Sequence, residues 1–400
     1  MQTTCVNTLN DEIEQQTKEK FIKEMIINEI EAKTILRKHK RIDSWFISRY
    51  GMNLYRGCSH NCVYCDGRAE KYNVRGEFGE EVAVKTNAID ILKRELDNRR
   101  KRIPLIRGFM MIGGGVGDSY QPVEQKYELT RRLLELMYEL DYPVSVLTKS
   151  TLVERDIDIL KKINEQSRAI VNFSFSSVDD KLSARFEPGV SSPAERLATI
   201  EKFKKQGLTC GMLLMPVIPF LSDTPEMIEN AVRSANNVGV DFIIFSGMTL
   251  KDGRQKDYFM NVLLDYYPEL FEEYQQIYIG NKWGGASEPY FQSIHQTFYH
   301  IVRKYQMPVR IPHHVYSDIL NENDKIVIML DHIDYLLKLR GAKSPYGYAA
   351  YSISKLDQPV SKIKSQLRQL KGVGTVTESI VREILHTGKS SYLEKLMKFR

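Results

Sequence analysis

Between residues 106 and 250 the chain alternates short, almost wholly apolar runs with longer stretches whose apolar positions recur every three or four residues. IRGFMMIGGG (106–115) precedes PVEQKYELTRRLLELMYEL (122–140), and PVSVLTKS (143–150) precedes a helical repeat that ends near Leu160. AIVNFSFSS (169–177) is followed by a repeat over 193–206, LTCGMLLMP (208–216) by one over 224–238, and VDFIIFSGM (240–248) closes the series. Continuous apolar runs rich in Val, Ile and Phe predict strands covered on both faces, as in a parallel sheet. The three-to-four spacing predicts amphipathic helices, and Pro122 suits a first helical turn.

With the cysteine-bearing segment before Gly67 as a first strand, six strand–helix units are expected. A closed barrel needs eight, so the pattern predicts an α/β fold built as an open, partial (β/α)6 TIM-like barrel, with chemistry at the C-terminal ends of its strands. Around the barrel (45–250) the expectation is a polar, helical N-terminal segment (1–44) and a helical, aromatic-rich extension (251–340). KSPYGYAAYS (343–352), with Pro345 and Gly347, reads as a linker into a C-terminal tail over 341–400.

Composition changes this picture little. Apolar residues at 42% and charged ones at 27% suit a globular protein, and most of the 22 tyrosines are expected in the helical core. No run of 18 apolar residues predicts a membrane span, and the N-terminal MQTTCVNTLNDEIEQQ lacks the pattern of a signal peptide. Five cysteines, three of them clustered, suit a reducing cytoplasm rather than a disulfide framework. Charge is more informative. Residues 340–400 hold 12 Lys+Arg against 4 Asp+Glu, a net +8, whereas the other 339 residues carry 45 against 47, a net −2. A basic tail of this kind faces a polyanion or is a solvated helix pair.

Candidate chemistry centres on LYRGCSHNCVYCDG (54–67), which carries Cys58, Cys62 and Cys65. Thiolates bind soft or borderline metals. Zinc would require four ligands, with His60 as the available fourth but poorly placed between two cysteines. An iron–sulfur cluster on three cysteines would keep one iron open for chemistry.

At these residues the chain resembles the radical S-adenosylmethionine superfamily, whose C-x3-C-x-aromatic-C signature matches Cys58, Cys62, Tyr64 and Cys65. The resemblance continues through GGGVGDSYQPVE (113–124), LTKS (147–150) with Arg155–Asp156, FEPG (186–189) with Arg196, and MPVIP (215–219). Together these look like the spore photoproduct lyase-like, DNA-repair photolyase-related branch, from about Ile35 to Arg310. That resemblance implies the six-unit barrel, a [4Fe-4S] cluster on the three cysteines and S-adenosylmethionine on the open iron. It also implies reductive cleavage to a 5′-deoxyadenosyl radical, driven by an electron donor such as flavodoxin or ferredoxin.

Residue by residue, it implies that Gly113, Gly114 and Gly115 admit the cofactor's ammonium to backbone carbonyls, that Asp118 lies at the cofactor, and that Lys149 meets its carboxylate. Ser174 and Ser176 would offer hydroxyls to the ribose, one of them facing away. Tyr120, Gln121 and Glu124 would line a substrate rim. Asp118 and Glu124 also fit helix-capping roles, Lys149 a surface position, and Glu187 with Arg196 an ion pair fixing its loop. The lyase of this branch needs a thiol to return a hydrogen atom to substrate. Of the two thiols left, Cys5 lies near the N-terminus and Cys210 reads as a small buried hydrophobe, which argues against repair of thymine photoproducts.

In the tail, LKGVGTVTESIVREIL resembles a helix–hairpin–helix, with Gly372, Val373 and Gly374 as its turn. Gly372 and Gly374 would bring backbone N–H groups to a phosphate, Val373 would plug the hairpin, and Arg368, Lys371 and Lys389 would contact a nucleic-acid backbone. Glu378 departs from that pattern, being an anion where a small residue is usual. The expected function is a radical enzyme that repairs or modifies a nucleic acid, DNA in the first instance. The alternatives are the same chemistry on a peptide or small metabolite, or a nucleic-acid-binding protein with a structural or redox-sensing cluster.

Overall fold

The structure is a computed structural model that describes residues 25–397, apart from 73, 75, 98, 100–103 and 115. The first strands are β1 (Ile26–Ile30), β2 (Leu36–Asp43), β3 (Ser48–Met52), β4 (Tyr55–Arg56) and β5 (Glu81–Lys85), with α1 (Ala88–Leu96) after them. Alternation then takes over: β6 (Phe109–Ile112), α2 (Glu124–Tyr127), α3 (Leu129–Glu139), β7 (Val144–Thr148), α4 (Ile157–Gln166), β8 (Ala169–Phe175), α5 (Asp180–Phe186), α6 (Pro193–Lys205), β9 (Thr209–Val217), α7 (Pro225–Asn237) and β10 (Phe242–Gly247).

Among the described residues, seven strands form one sheet in the order β10-β9-β8-β7-β6-β3-β2. All neighbours in it are parallel except β2, which runs antiparallel to β3 at one edge. Strands β6 to β10 are buried almost throughout because helices cover one face and the other turns inward, as their unbroken apolar runs require. With β10 and β2 unpaired to each other the barrel is open, as expected from six parallel strands.

Two expectations fail at the N-terminus. The first barrel strand is Ser48–Met52, not the cysteine segment, which is a loop leaving its C-terminal end. The helix expected over 1–44 lies outside the described residues up to 24, and beyond that the chain forms β1 and β2. IINEI pairs with β5, and LRKHKRID alternates along an edge whose outward Lys and Arg side chains protect it.

After the barrel come α8 (Arg254–Tyr266), α9 (Phe271–Ile277), α10 (Glu288–Lys304), α11 (Glu322–Leu339), α12 (Tyr346–Ile353), α13 (Thr375–Thr387) and α14 (Ser391–Met397). The stretch read as a linker contains α12, because Tyr346, Ala349, Ala350 and Ile353 bury one face of it. Asp334 on α11 accepts the Gly347 N–H at 3.1 Å, and a side chain at 347 would run into that carboxylate.

The C-terminal helices pack beneath the N-terminal ends of the strands. Arg49 at the start of β3 donates to Asp324 at 2.8 Å, and His332 meets the Ser44 carbonyl at 2.8 Å. Arg168, just before β8, reaches Asp318 at 2.7 Å. The Arg49–Asp324 pair is buried, and burial pushes Asp324 up against the pull of Arg49. Arg49→Ala therefore strands a buried carboxylate and should lower stability by about 3–5 kcal/mol, read from the urea midpoint; the double change Arg49→Met with Asp324→Leu should recover most of it.

Candidate functional site

The thiol loop carries almost no regular structure, so its shape comes from side chains that satisfy its peptide groups. Gly57 enters it at φ +82°, with its α-carbon so close to the Glu81 carbonyl that a methyl there would lie 2.5 Å away. Gln121, fully buried, accepts from the Ser59 N–H at 3.0 Å and donates to the Gly57 carbonyl at 3.2 Å. Arg68 donates to the Cys62 and Asn61 carbonyls at 3.1 and 3.2 Å and lies over the Tyr258 ring. Gln255 on α8 donates to the Tyr64 and Thr249 carbonyls at 3.0 and 2.9 Å. Asp66 takes Lys251 at 2.6 Å and Thr249 at 2.8 Å.

Cys58, Cys62 and Cys65 remain unbridged, two of them buried and the third half-buried. Burial pushes all three thiols up; Lys149 pulls Cys62 back, and the Gly67 amide and Arg68 pull Cys65 back. Three soft donors on one rigid loop, costly to ionise without a counter-cation, are the donor set an iron–sulfur cluster takes, each thiolate on its own iron. Among the described residues no three His, Cys, Asp or Glu side chains gather as they would around a single ion. His60 is buried with Nδ1 3.5 Å from Asp118, and its pKa is lowered by burial against the pull of that carboxylate.

Strand ends meet this loop as the fold predicts. Gly113 and Gly114 follow β6 at φ +80° and +91°, and a methyl on Gly113 would lie 2.5 Å from the Leu147 carbonyl. Gly115 lies outside the described residues. Asp118 accepts from the Lys149 N–H at 2.7 Å and from the Thr148 hydroxyl and Tyr120 N–H at 2.8 Å each, pinning the end of β7 to the glycine turn. Lys149 projects Nζ to Glu187 at 2.8 Å, 5.6 Å from the Tyr64 ring centroid. Glu187 is buried and also receives Arg196 at 2.7 Å, Ser183 at 3.0 Å and the Tyr64 hydroxyl. Burial opposes ionisation there, but the Lys149 and Arg196 cations hold the carboxyl well below the usual carboxylate range. Ser174 donates to the Met215 carbonyl at 3.1 Å, whereas the buried Ser176 hydroxyl lies against the Tyr64 hydroxyl.

The expected substrate rim is not a rim. Tyr120, Gln121 and Glu124 are all fully buried. The Tyr120 hydroxyl donates to Asp156 at 3.0 Å, and Glu124 receives Arg155 at 2.7 Å, the Thr130 N–H at 3.0 Å and the Tyr55 hydroxyl. Their polar ends hold the scaffold together, Gln121 against the thiol loop and Glu124 against the start of α3. Sequence reasoning missed Arg68 and Gln255 as supports of the thiol loop. Arg155 and Asp156 had a signal in their placement after LTKS. A cavity of about 380 Å³ opens beside the loop, lined by His60, Tyr120, Ser150, Thr151, Gly189 and Ser191 among others.

Cys210 stands near the start of β9, at the far end of the barrel from the thiol loop, and burial pushes it up to about 12. Cys5 lies outside the described residues. In the tail, Val373 is buried as the expected plug, and Gly372 at φ +87° packs against the Ala349 amide. Gly374, Lys371 and Lys389 are exposed. Arg368 is not free for a phosphate, because it pairs with Glu378, which also takes Arg382 at 2.8 Å.

A family model described as the radical SAM superfamily matches residues 52–224, and one described as a helix-hairpin-helix domain matches 321–390, so that α11 goes with the tail. An uncharacterized protein of Mycobacterium tuberculosis is 32% identical over 234 residues, 58% of this chain and 67% of that one. Another, from Methanocaldococcus jannaschii, is 30% identical over 227 residues, 56% of this chain and 79% of that one. Spore photoproduct lyase complexed with dinucleoside spore photoproduct superposes with a TM-score of 0.50 at 16% identity, over 70% of this chain and 79% of that one, a likeness of fold.

Glu187→Gln should lower stability at pH 7 by about 3–5 kcal/mol, because the buried Arg196 and the half-buried Lys149 lose their counter-charge. A carboxyl held low in the fold contributes stability above its unfolded pKa, about 4.3, and loses it as pH falls through the folded value. Urea titrations from about pH 6 down to about 2 should therefore show a shallower acid limb in the variant; an unchanged limb over that range would remove Glu187 as its source.

Proposed function

This chain belongs to the radical SAM superfamily, and on that premise we propose that the enzyme repairs or modifies DNA while its C-terminal module holds the polymer. The observation that carries this is the pairing, in one chain, of a radical SAM barrel with a helix-hairpin-helix module docked on it, the module overlapping from residue 340 onward the C-terminal segment of net +8. Membrane anchoring has no support: no helix among the described residues is long and apolar enough to cross a bilayer.

Cys58, Cys62 and Cys65 would hold a [4Fe-4S] cluster and leave its fourth iron to S-adenosylmethionine. Once bound, with an electron from a flavodoxin- or ferredoxin-type donor, that pair supplies reductive cleavage of the sulfonium and abstraction of hydrogen from substrate. The chain's own residues prepare the place. Gly113 and Gly114, at φ +80° and +91°, would turn the backbone toward the cofactor's amino-acid end, and Lys149, held by Glu187, brings a cation toward its carboxylate. Asp118 positions the Lys149 backbone, and Ser176, beside Tyr64, would be the hydroxyl that meets the ribose, since Ser174 is taken by the neighbouring strand. Cys210 is placed at the wrong end of the barrel to return a hydrogen atom, which favours modification over thymine photoproduct repair.

The module sits at the N-terminal ends of strands whose C-terminal ends meet the thiol loop. Four to nine residues at about 3.3 Å each separate the two by roughly 15–30 Å, so a substrate gripped by the tail and reacting at the mouth must be a polymer. In anaerobic assays with dithionite, wild type should bind iron and sulfide and release 5′-deoxyadenosine, and Cys62→Ala should do neither. The double change Lys371→Glu with Lys389→Glu should raise KM for long DNA about ten-fold with kcat unchanged and leave a dinucleotide's kinetics as they were. Equal kinetics on long DNA would detach the tail from substrate binding.

A further inference from the structure

Resting on the nucleic-acid reading above, we propose that Tyr348 and Tyr351 form a stacking platform for unpaired bases, which makes the C-terminal module a grip for single-stranded DNA. Helix α12 turns Tyr346, Ala349, Ala350 and Ile353 inward, and this is what fixes its rotation. Tyr348 and Tyr351 then point out together, one turn apart, 62% and 56% exposed. Leaving two large rings in water on one helix face has no packing explanation among the described residues.

The surroundings select the occupant. Lys371 Nζ stands over the Tyr348 ring, 5.5 Å from its centroid, and Lys355 Nζ over that of Tyr351 at 5.2 Å, so each ring carries an ammonium on one face and leaves the other for a base. From residue 343 to 374 there are six Lys and Arg residues, and Asp357 is the one acid among them. Aromatic faces interleaved with cations are what bind a strand whose bases are free to leave their stack; a protein partner's apolar surface would not call for that charge. A duplex keeps its base faces covered and could use the hairpin amides but not the rings.

The platform is also joined rigidly to the Gly-x-Gly turn. The Ser352 hydroxyl donates to the Lys371 carbonyl at 2.8 Å, and a side chain on Gly372 would lie 2.8 Å from Tyr348 Cβ. Backbone amides suited to a phosphate thus lie next to rings suited to the bases of the same strand. Arg368, occupied by Glu378, is not part of it.

The test uses the full-length protein and a fluorescein-labelled oligothymidylate of about 20 nucleotides, its duplex with the complementary strand, and an oligouridylate of equal length. Anisotropy is measured at two salt concentrations. Tyr348→Ala with Tyr351→Ala should weaken single-strand binding at least about ten-fold, leave duplex binding within two-fold, and not change the salt slope. Tyr348→Phe with Tyr351→Phe should restore wild-type affinity, and Lys355→Ala with Lys371→Ala should flatten the slope. Both tyrosines are exposed, and circular dichroism confirms folding of each variant. If the alanine pair binds single strands as wild type does while Lys371→Glu with Lys389→Glu no longer binds, the platform is overturned and the nucleic-acid reading survives. If wild type binds no nucleic acid, both fall. Tighter binding of oligouridylate would overturn the assignment to DNA.

Discussion

Everything at the mouth of this barrel depends on holding an irregular loop still by saturating its backbone. The thiol loop has neither ladder nor helix to satisfy its carbonyls and amides, and an unpaired buried peptide group costs about as much as a lost hydrogen bond. Gln121, Arg68 and Gln255 meet that cost from three sides, from the turn after β6, from within the loop and from α8. Each reaches a main-chain atom of the loop and not a sulfur, and the Gly67 amide donates to Cys65 Sγ at 3.4 Å. Amide side chains suit this task because one group both donates and accepts, as Gln121 does on either side of Cys58.

The same logic extends outward through charge. Glu187 sits at zero exposure between Lys149 and Arg196, and a buried carboxylate is tolerable there because it is paired on both oxygens and hydrogen-bonded by Ser183 and Tyr64. Tyr64 is the residue just before Cys65, so the network ties the thiol loop to the ends of β7 and β8 and to the loop after α5. Gly189 closes it: its N–H donates to the His60 carbonyl at 3.1 Å, and a methyl there would strike the Ser59 carbonyl. A cation beside the thiols is thereby fixed in place, not left to wander on a long side chain.

Much of this was legible. Periodicity marks the alternation from β6 to β10, because buried parallel strands cannot hide their apolar runs, but not β3, whose place it gave to the cysteine segment; the spacing of the three cysteines marks the loop. Val373 and Gly372 behave as a hairpin's sequence says they should. What was not legible follows from long-range partners. Tyr120, Gln121 and Glu124 follow a strand end, where polar residues often face substrate, and nothing local says that Tyr55, Gly57 and Arg155 wait to bury them. The N-terminal strands escaped notice because edge strands rich in Lys and Arg have weak apolar alternation. Arg368 read as a free cation because its partner is ten residues away, across the turn.

The two ends of the molecule impose a geometric condition on each other. Buried contacts such as Arg49 with Asp324 and His332 with Ser44 seat the C-terminal module on the barrel floor, and those contacts leave it little freedom to swing toward the mouth. A polymer held below and transformed above must run along the outside of the barrel, and a flexible strand follows such a path at far lower elastic cost than a duplex, whose persistence length is about 150 base pairs. On the proposed function, the rigid docking of the module and the exposed tyrosines on α12 therefore favour the same physical state of the substrate, from independent parts of the structure.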